Sequence, residues 1–71
     1  MTRYAIVIEH SRDANYSAYV PDLPGCVSIG ETVEEVQRNI RDAIAFHLRA
    51  MREDGDPIPE PSTQVAYASV A

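Results

Sequence analysis

The apolar positions of this chain change period along its length. Residues 3–10, "RYAIVIEH", are β-branched and aromatic-rich and predict a strand. "SRDAN" at 11–15 is a turn cluster, and "YSAYV" at 16–20 predicts a second strand, so the two form a hairpin. "PDLPG" then breaks the pattern, and "CVSI" at 26–29 predicts a third short strand closed by Gly30. In the first strand Tyr4, Ile6 and Ile8 fall on one side, Ala5 and Val7 on the other. A sheet wetted on one side alternates more cleanly than this, so two covered faces are expected. The chain offers only one helix to cover them.

That helix starts at Thr32. Thr32 and Glu35 have the spacing of a capping box, in which hydroxyl and carboxylate each accept from an orphan backbone N–H. Glu34 and Glu35 suit the positive end of the helix dipole, and Gly55, followed by Pro57 and Pro59, marks the stop. At ~100° per residue, Val33, Val36, Ile40, Ala43, Ile44, His47, Ala50 and Met51 share one face. Phe46 lies outside that stripe among polar neighbours, where an aromatic would cover a sheet edge or meet another chain. "DPIPEPS" at 56–62 is stiffened by proline, and "TQVAYASV" at 63–70 predicts a last strand. The expected architecture is α+β, in the order β-β-β-α-β, with one helix packed on a small mixed sheet. The whole of residues 1–71 is expected to be a single domain.

Length and charge narrow the role. A chain of 71 residues buries a modest core, and small domains often gain stability from disulfides, a metal or a partner subunit. One cysteine excludes an internal disulfide, and Cys26 with His10 and His47 has no metal-ligand spacing. A partner subunit remains, and a dimer or tetramer is expected. Eleven acids face six arginines and no lysine, for a net charge of −5. Nucleic-acid binders carry the opposite balance, so the acidic charge points instead to solubility or to a basic protein partner. The N-terminal apolar run is too short for a signal sequence or membrane span, and with the lone thiol it suits the cytoplasm.

Candidate chemistry is sparse. A reactive cysteine needs a helix N-terminus or a cation beside it. Cys26 has neither nearby in sequence, and a free cysteine is ordinarily a buried packing residue. His47, on the apolar helical face, has no acid or nucleophile spaced to accompany it, and His10 ends a strand beside a polar turn. The carboxylates lie mainly along the helix and do not converge as a two-metal site requires. "GCVSIG" lacks the Lys-Ser/Thr of a phosphate-binding loop. A non-enzymatic interaction domain without metal or cofactor is the expectation.

From the second strand onward, "YSAYVPDLPGCVSIGETVEEVQRNIRDAIAFHLRAMREDGDPIPEPS" resembles the HicB antitoxin family. The likeness lies in Pro-Asp-Leu-Pro-Gly-Cys, Gly-Glu-Thr-Val-Glu-Glu at the helix start, Asn-Ile-Arg-Asp-Ala-Ile within it, and Gly-Asp-Pro-Ile-Pro-Glu-Pro-Ser after it. The resemblance implies a partial RNase H-like fold without nuclease activity. It also implies binding to HicA, a small basic toxin that cleaves mRNA, and neutralisation of that toxin by protein–protein contact. Many HicB antitoxins continue into a DNA-binding segment, which this sequence lacks, so no direct nucleic-acid contact is expected of it. Tyr16, Tyr19, Asp22, Leu23 and Phe46 are the expected partner-facing residues; the alternative is that the aromatics cover the back of the sheet within one chain. The alternative function is a stand-alone homo-oligomeric assembly or ligand-binding domain without a toxin.

Overall fold

The computed structural model describes residues 2–12 and 15–71. Its elements are β1 (Val7–His10), β2 (Tyr16–Tyr19), β3 (Val27–Gly30) and one helix, α1 (Val33–Asp54). The three strands form an antiparallel sheet in the order β1-β2-β3. Ser11 N–H donates to the Asn15 carbonyl at 2.8 Å, closing the β1–β2 hairpin. Asp13 and Ala14 of the expected turn lie outside the described residues. β1 is shorter than the strand read from residues 3–10, although Tyr4 and Ile6 still pack against the core.

The segment between β2 and β3 turns twice through its own backbone. Leu23 N–H donates to the Val20 carbonyl and Cys26 N–H to the Leu23 carbonyl, both at 3.0 Å. Gly25 takes a positive φ of 85°, which an L side chain resists, so the turn needs glycine there. These turns point Leu23 inward. It joins Ala18, Val20, Cys26, Val36 and Ile40 in the core. Complete burial of Leu23, Val36 and Ile40 stabilises the fold by about 1.5–3 kcal/mol each.

The helix starts and stops as its signals require. Thr32 Oγ1 accepts from the Glu35 N–H at 3.0 Å. The return bond is displaced by one residue from the expected box: Glu35 Oε1 accepts from the Glu31 N–H, at 3.1 Å. At the far end Asp56 N–H donates to the Met51 carbonyl and Gly55 N–H to the Arg52 carbonyl, a Schellman ending. The packed stripe runs through Val36, Ile40, Ala43, Ile44 and Leu48. Ala50, expected on that face, is exposed, and His47 is only half-buried.

Three expectations about the sheet are corrected. Residues 63–70 form no strand, and the sheet is wholly antiparallel rather than mixed. The helix also covers only one face. Antiparallel register places Ile8, Ala18 and Ser28 opposite one another on the core side. Val7, Tyr19 and Val27 therefore share the open side with Ser17 and Ile29.

Candidate functional site

The five residues expected to face a partner do not converge. Tyr16 pairs with His10 across β1 and β2, and their rings stack at 4.3 Å with an interplanar angle of 10°. Tyr16 also packs against the core, on the face opposite Tyr19. Leu23 is fully buried, so it supplies core rather than surface; this corrects the sequence expectation. Tyr19 lies on the open sheet face and Phe46 on the outside of the helix. Asp22 has a different task.

Its carboxylate holds the chain that follows the helix. Asp22 Oδ2 accepts from the backbone N–H of Ser62 (3.1 Å) and Thr63 (3.2 Å). Oδ1 accepts from the Ser62 hydroxyl (3.0 Å) and the Thr63 hydroxyl (2.8 Å). The Thr63 hydroxyl, with these other donors, holds the Asp22 carboxyl below its ordinary range despite some opposing desolvation. A second tie lies upstream, where the Tyr4 hydroxyl donates to the Pro59 carbonyl at 2.6 Å. Beyond Thr63 the chain is exposed throughout.

Two surfaces are left. The first is the open face of β2 and β3, a shallow groove of about 560 Å³ lined by Ser17, Ala18, Tyr19, Val27, Ser28 and Ile29. Val27 and Ile29 keep 65% and 68% of their surface exposed, and with Tyr19 they make an apolar patch. Both were passed over in the sequence reading. Their signal was the alternation in "CVSI", which sends Cys26 and Ser28 one way and Val27 and Ile29 the other. The second surface is helical: Phe46, 67% exposed, sits on one stripe with exposed Asp42 and Glu53.

Burial raises the Cys26 thiol above its usual range, opposite to what a nucleophile requires. Among the described residues no three His, Cys, Asp or Glu side chains gather where they could hold a metal ion. No described helix is long and apolar enough to cross a membrane.

The class the fold defines is a small α+β domain, three antiparallel strands and one helix, with one sheet face left open. Residues 4–70 match the family described as HicB_like antitoxin of bacterial toxin-antitoxin system. The chain belongs to that HicB-like antitoxin family. The N-terminal domain of the Burkholderia pseudomallei antitoxin HicB superposes with a TM-score of 0.74 at 34% identity, over 82% of this chain and 69% of that one. A UPF0150 protein of Synechocystis is 33% identical over 94% of this chain and 85% of its own length. A 14.9 kDa protein from the rep-hol intergenic region of Haemophilus phage HP1 is 44% identical over 57 residues. That match covers 80% of this chain and 42% of the phage protein, so the chain spans less than half of that relative.

Proposed function

We propose that this protein is the antitoxin of a type II pair, binding a HicA-like, mRNA-cleaving toxin and neutralising it by covering its RNA-binding surface. Membership of the antitoxin family supports a toxin partner in general. The observation that carries the finer reading is Phe46, an exposed aromatic between Asp42 and Glu53 on an acidic chain. A desolvated aromatic supplies contact area, and the net charge of −5, with Asp42 and Glu53 beside Arg49 on the same helix surface, favours a cationic partner and steers its approach. In this reading the protein acts by contact alone in the cytoplasm, with no catalytic step and no cofactor.

The test is co-expression with a basic neighbouring reading frame that arrests growth. The parent chain should relieve the arrest and co-purify with the toxin. Phe46→Asp should lose both while its melting temperature stays near that of the parent, because the side chain is mostly exposed. No complex between the parent chain and such a toxin would refute the reading.

A second reading, self-association into a homo-oligomer, is favoured by the apolar patch at Tyr19, Val27 and Ile29. The two are compatible, because the patch and Phe46 lie on different elements.

A further inference from the structure

Residues 64–70 follow the Asp22 clamp as an exposed segment that belongs to no helix or strand. The molecule is elongated, with a Cα radius of gyration of 13.6 Å and extents of 46 × 27 × 19 Å. A compact chain of this length would have a radius near ~11 Å. The segment is not hydrophilic. Val65, Tyr67 and Val70 are all exposed, Tyr67 at 95%, and residues 61–71 contain no charged side chain.

The sheet has a free edge of matching character. Val20 N–H donates to the Cys26 carbonyl at 3.2 Å, which fixes the alternation of the β2–β3 ladder. By that alternation the backbone groups of Val27 and Ile29 point away from β2, toward the free edge of β3. One of them is already blunted: Asn39 Nδ2 donates to the Ile29 carbonyl at 2.9 Å. The Val27 N–H and carbonyl and the Ile29 N–H remain, on a strand that carries no charge. Such an edge is a template for another strand. The opposite edge, β1, carries Glu9 and His10.

We propose that residues 64–70 of one copy pair with the free edge of β3 of a second copy, and reciprocally. This rests on the homo-oligomeric reading above and names its interface. Val65 and Tyr67 have the same two-residue spacing as Val27 and Ile29, ~6.6 Å along a strand, so their side chains extend the apolar patch beside Tyr19. The occupant is a second copy because segment and edge are alike in lacking charge, whereas a cationic partner is drawn to carboxylates. A reciprocal exchange closes on itself as a two-fold dimer.

The experiment uses the full chain, one sample isotopically labelled and mixed with an unlabelled one. Filtered NOE spectra should connect the Tyr67 ring of one copy with Val27 and Ile29 methyls of the other. In sedimentation, Val65→Asp with Tyr67→Asp should weaken self-association by at least roughly tenfold, while Tyr67→Phe keeps it. Both altered side chains are exposed, so the monomer's core is untouched. If the double variant dimerises like the parent, the tail assignment falls and the homo-oligomer stands. If Tyr67 contacts only its own β3, the exchange also falls. If the parent is monomeric at micromolar concentration, both readings fall.

Discussion

Gly30→Ala isolates the point where sheet and helix come closest. A Cβ at Gly30 would lie 2.7 Å from Val36 N, 3.0 Å from Val36 Cα and 3.1 Å from Val36 Cβ. Two of these atoms are helix backbone, which cannot rotate aside as a side-chain tip can. The first turn is also held in place, with Val36 N–H donating to the Thr32 carbonyl at 2.9 Å and the Thr32 cap on Glu35. One methyl must therefore push the start of α1 away from β3 and loosen the packing of fully buried Val36. Overpacking of this kind costs about 1–3 kcal/mol. For a domain this small, that lowers the melting temperature by about 4–24 °C. Gly25→Ala is the contrast, since it has a positive φ of 85° and no atom within 4 Å of the added Cβ. Its penalty, about 1–2 kcal/mol, comes from the backbone conformation alone. Asparagine tolerates that conformation and should recover part of the loss at residue 25, but a larger side chain at residue 30 should deepen it. Thermal unfolding of Gly30→Ala and Gly30→Val checks this. If Gly30→Ala melts with the parent, or valine is no worse than alanine, the close approach is not what places the helix.

Thr32→Ala removes the acceptor for the Glu35 N–H and should cost about 1 kcal/mol in urea unfolding, with the helix content otherwise unchanged. The Asp22 clamp should depend on pH in one direction. Its folded pKa lies below the ordinary 3.8, so its stabilisation is fully present above that value and is lost as pH falls through the folded pKa. Amide exchange at Ser62 and Thr63 should accelerate across that acidic window, and Asp22→Asn should abolish the pH dependence. Cys26 should resist iodoacetamide at neutral pH in the folded protein and react only under denaturant, because the thiol is buried and its pKa raised; rapid alkylation of the native protein would contradict its packing role. Ile40→Ala should cost about 2–5 kcal/mol, the usual penalty for emptying a fully buried aliphatic site, as measured by denaturant titration.

Local rules account for the elements that sequence reasoning placed well. The Thr32 cap, the acids of the first turn and the Gly55 stop act within a few residues, so α1 is legible from its own stretch. Phe46 was legible as exposed because its angular position lies off the packed stripe. Pairing across distance was not legible. "TQVAYASV" has the residues of a strand, yet a strand needs a ladder partner, and within one chain this segment has none. Asp22 reaches Ser62 and Thr63 across some forty residues, a contact that no periodicity encodes. Leu23, set between prolines in a turn, reads as surface; only the bonds to Val20 and Cys26 turn it into the core. The helix stripe was read one edge too far from Leu48, which packs where His47 and Ala50 were expected.

The distribution of charge separates what the two surfaces can recognise. Along α1 the exposed face mixes carboxylates and arginines around Phe46, so a partner there must match both a charge pattern and an aromatic anchor. Such a surface discriminates between proteins, because a mismatched charge is desolvated without compensation. The β3 strand and the segment beyond Thr63 carry no charged side chain. An uncharged edge left open would pair indiscriminately, and natural sheets usually blunt it with lysine, proline or a covering element. Here Asn39 blunts only one carbonyl, which leaves the rest of the β3 edge open to a strand partner. In the proposed exchange that partner is residues 64–70 of a second copy, anchored by the Asp22 clamp. That arrangement would close the unspecific surface by self-association and leave the specific one, at Phe46, free for a different protein.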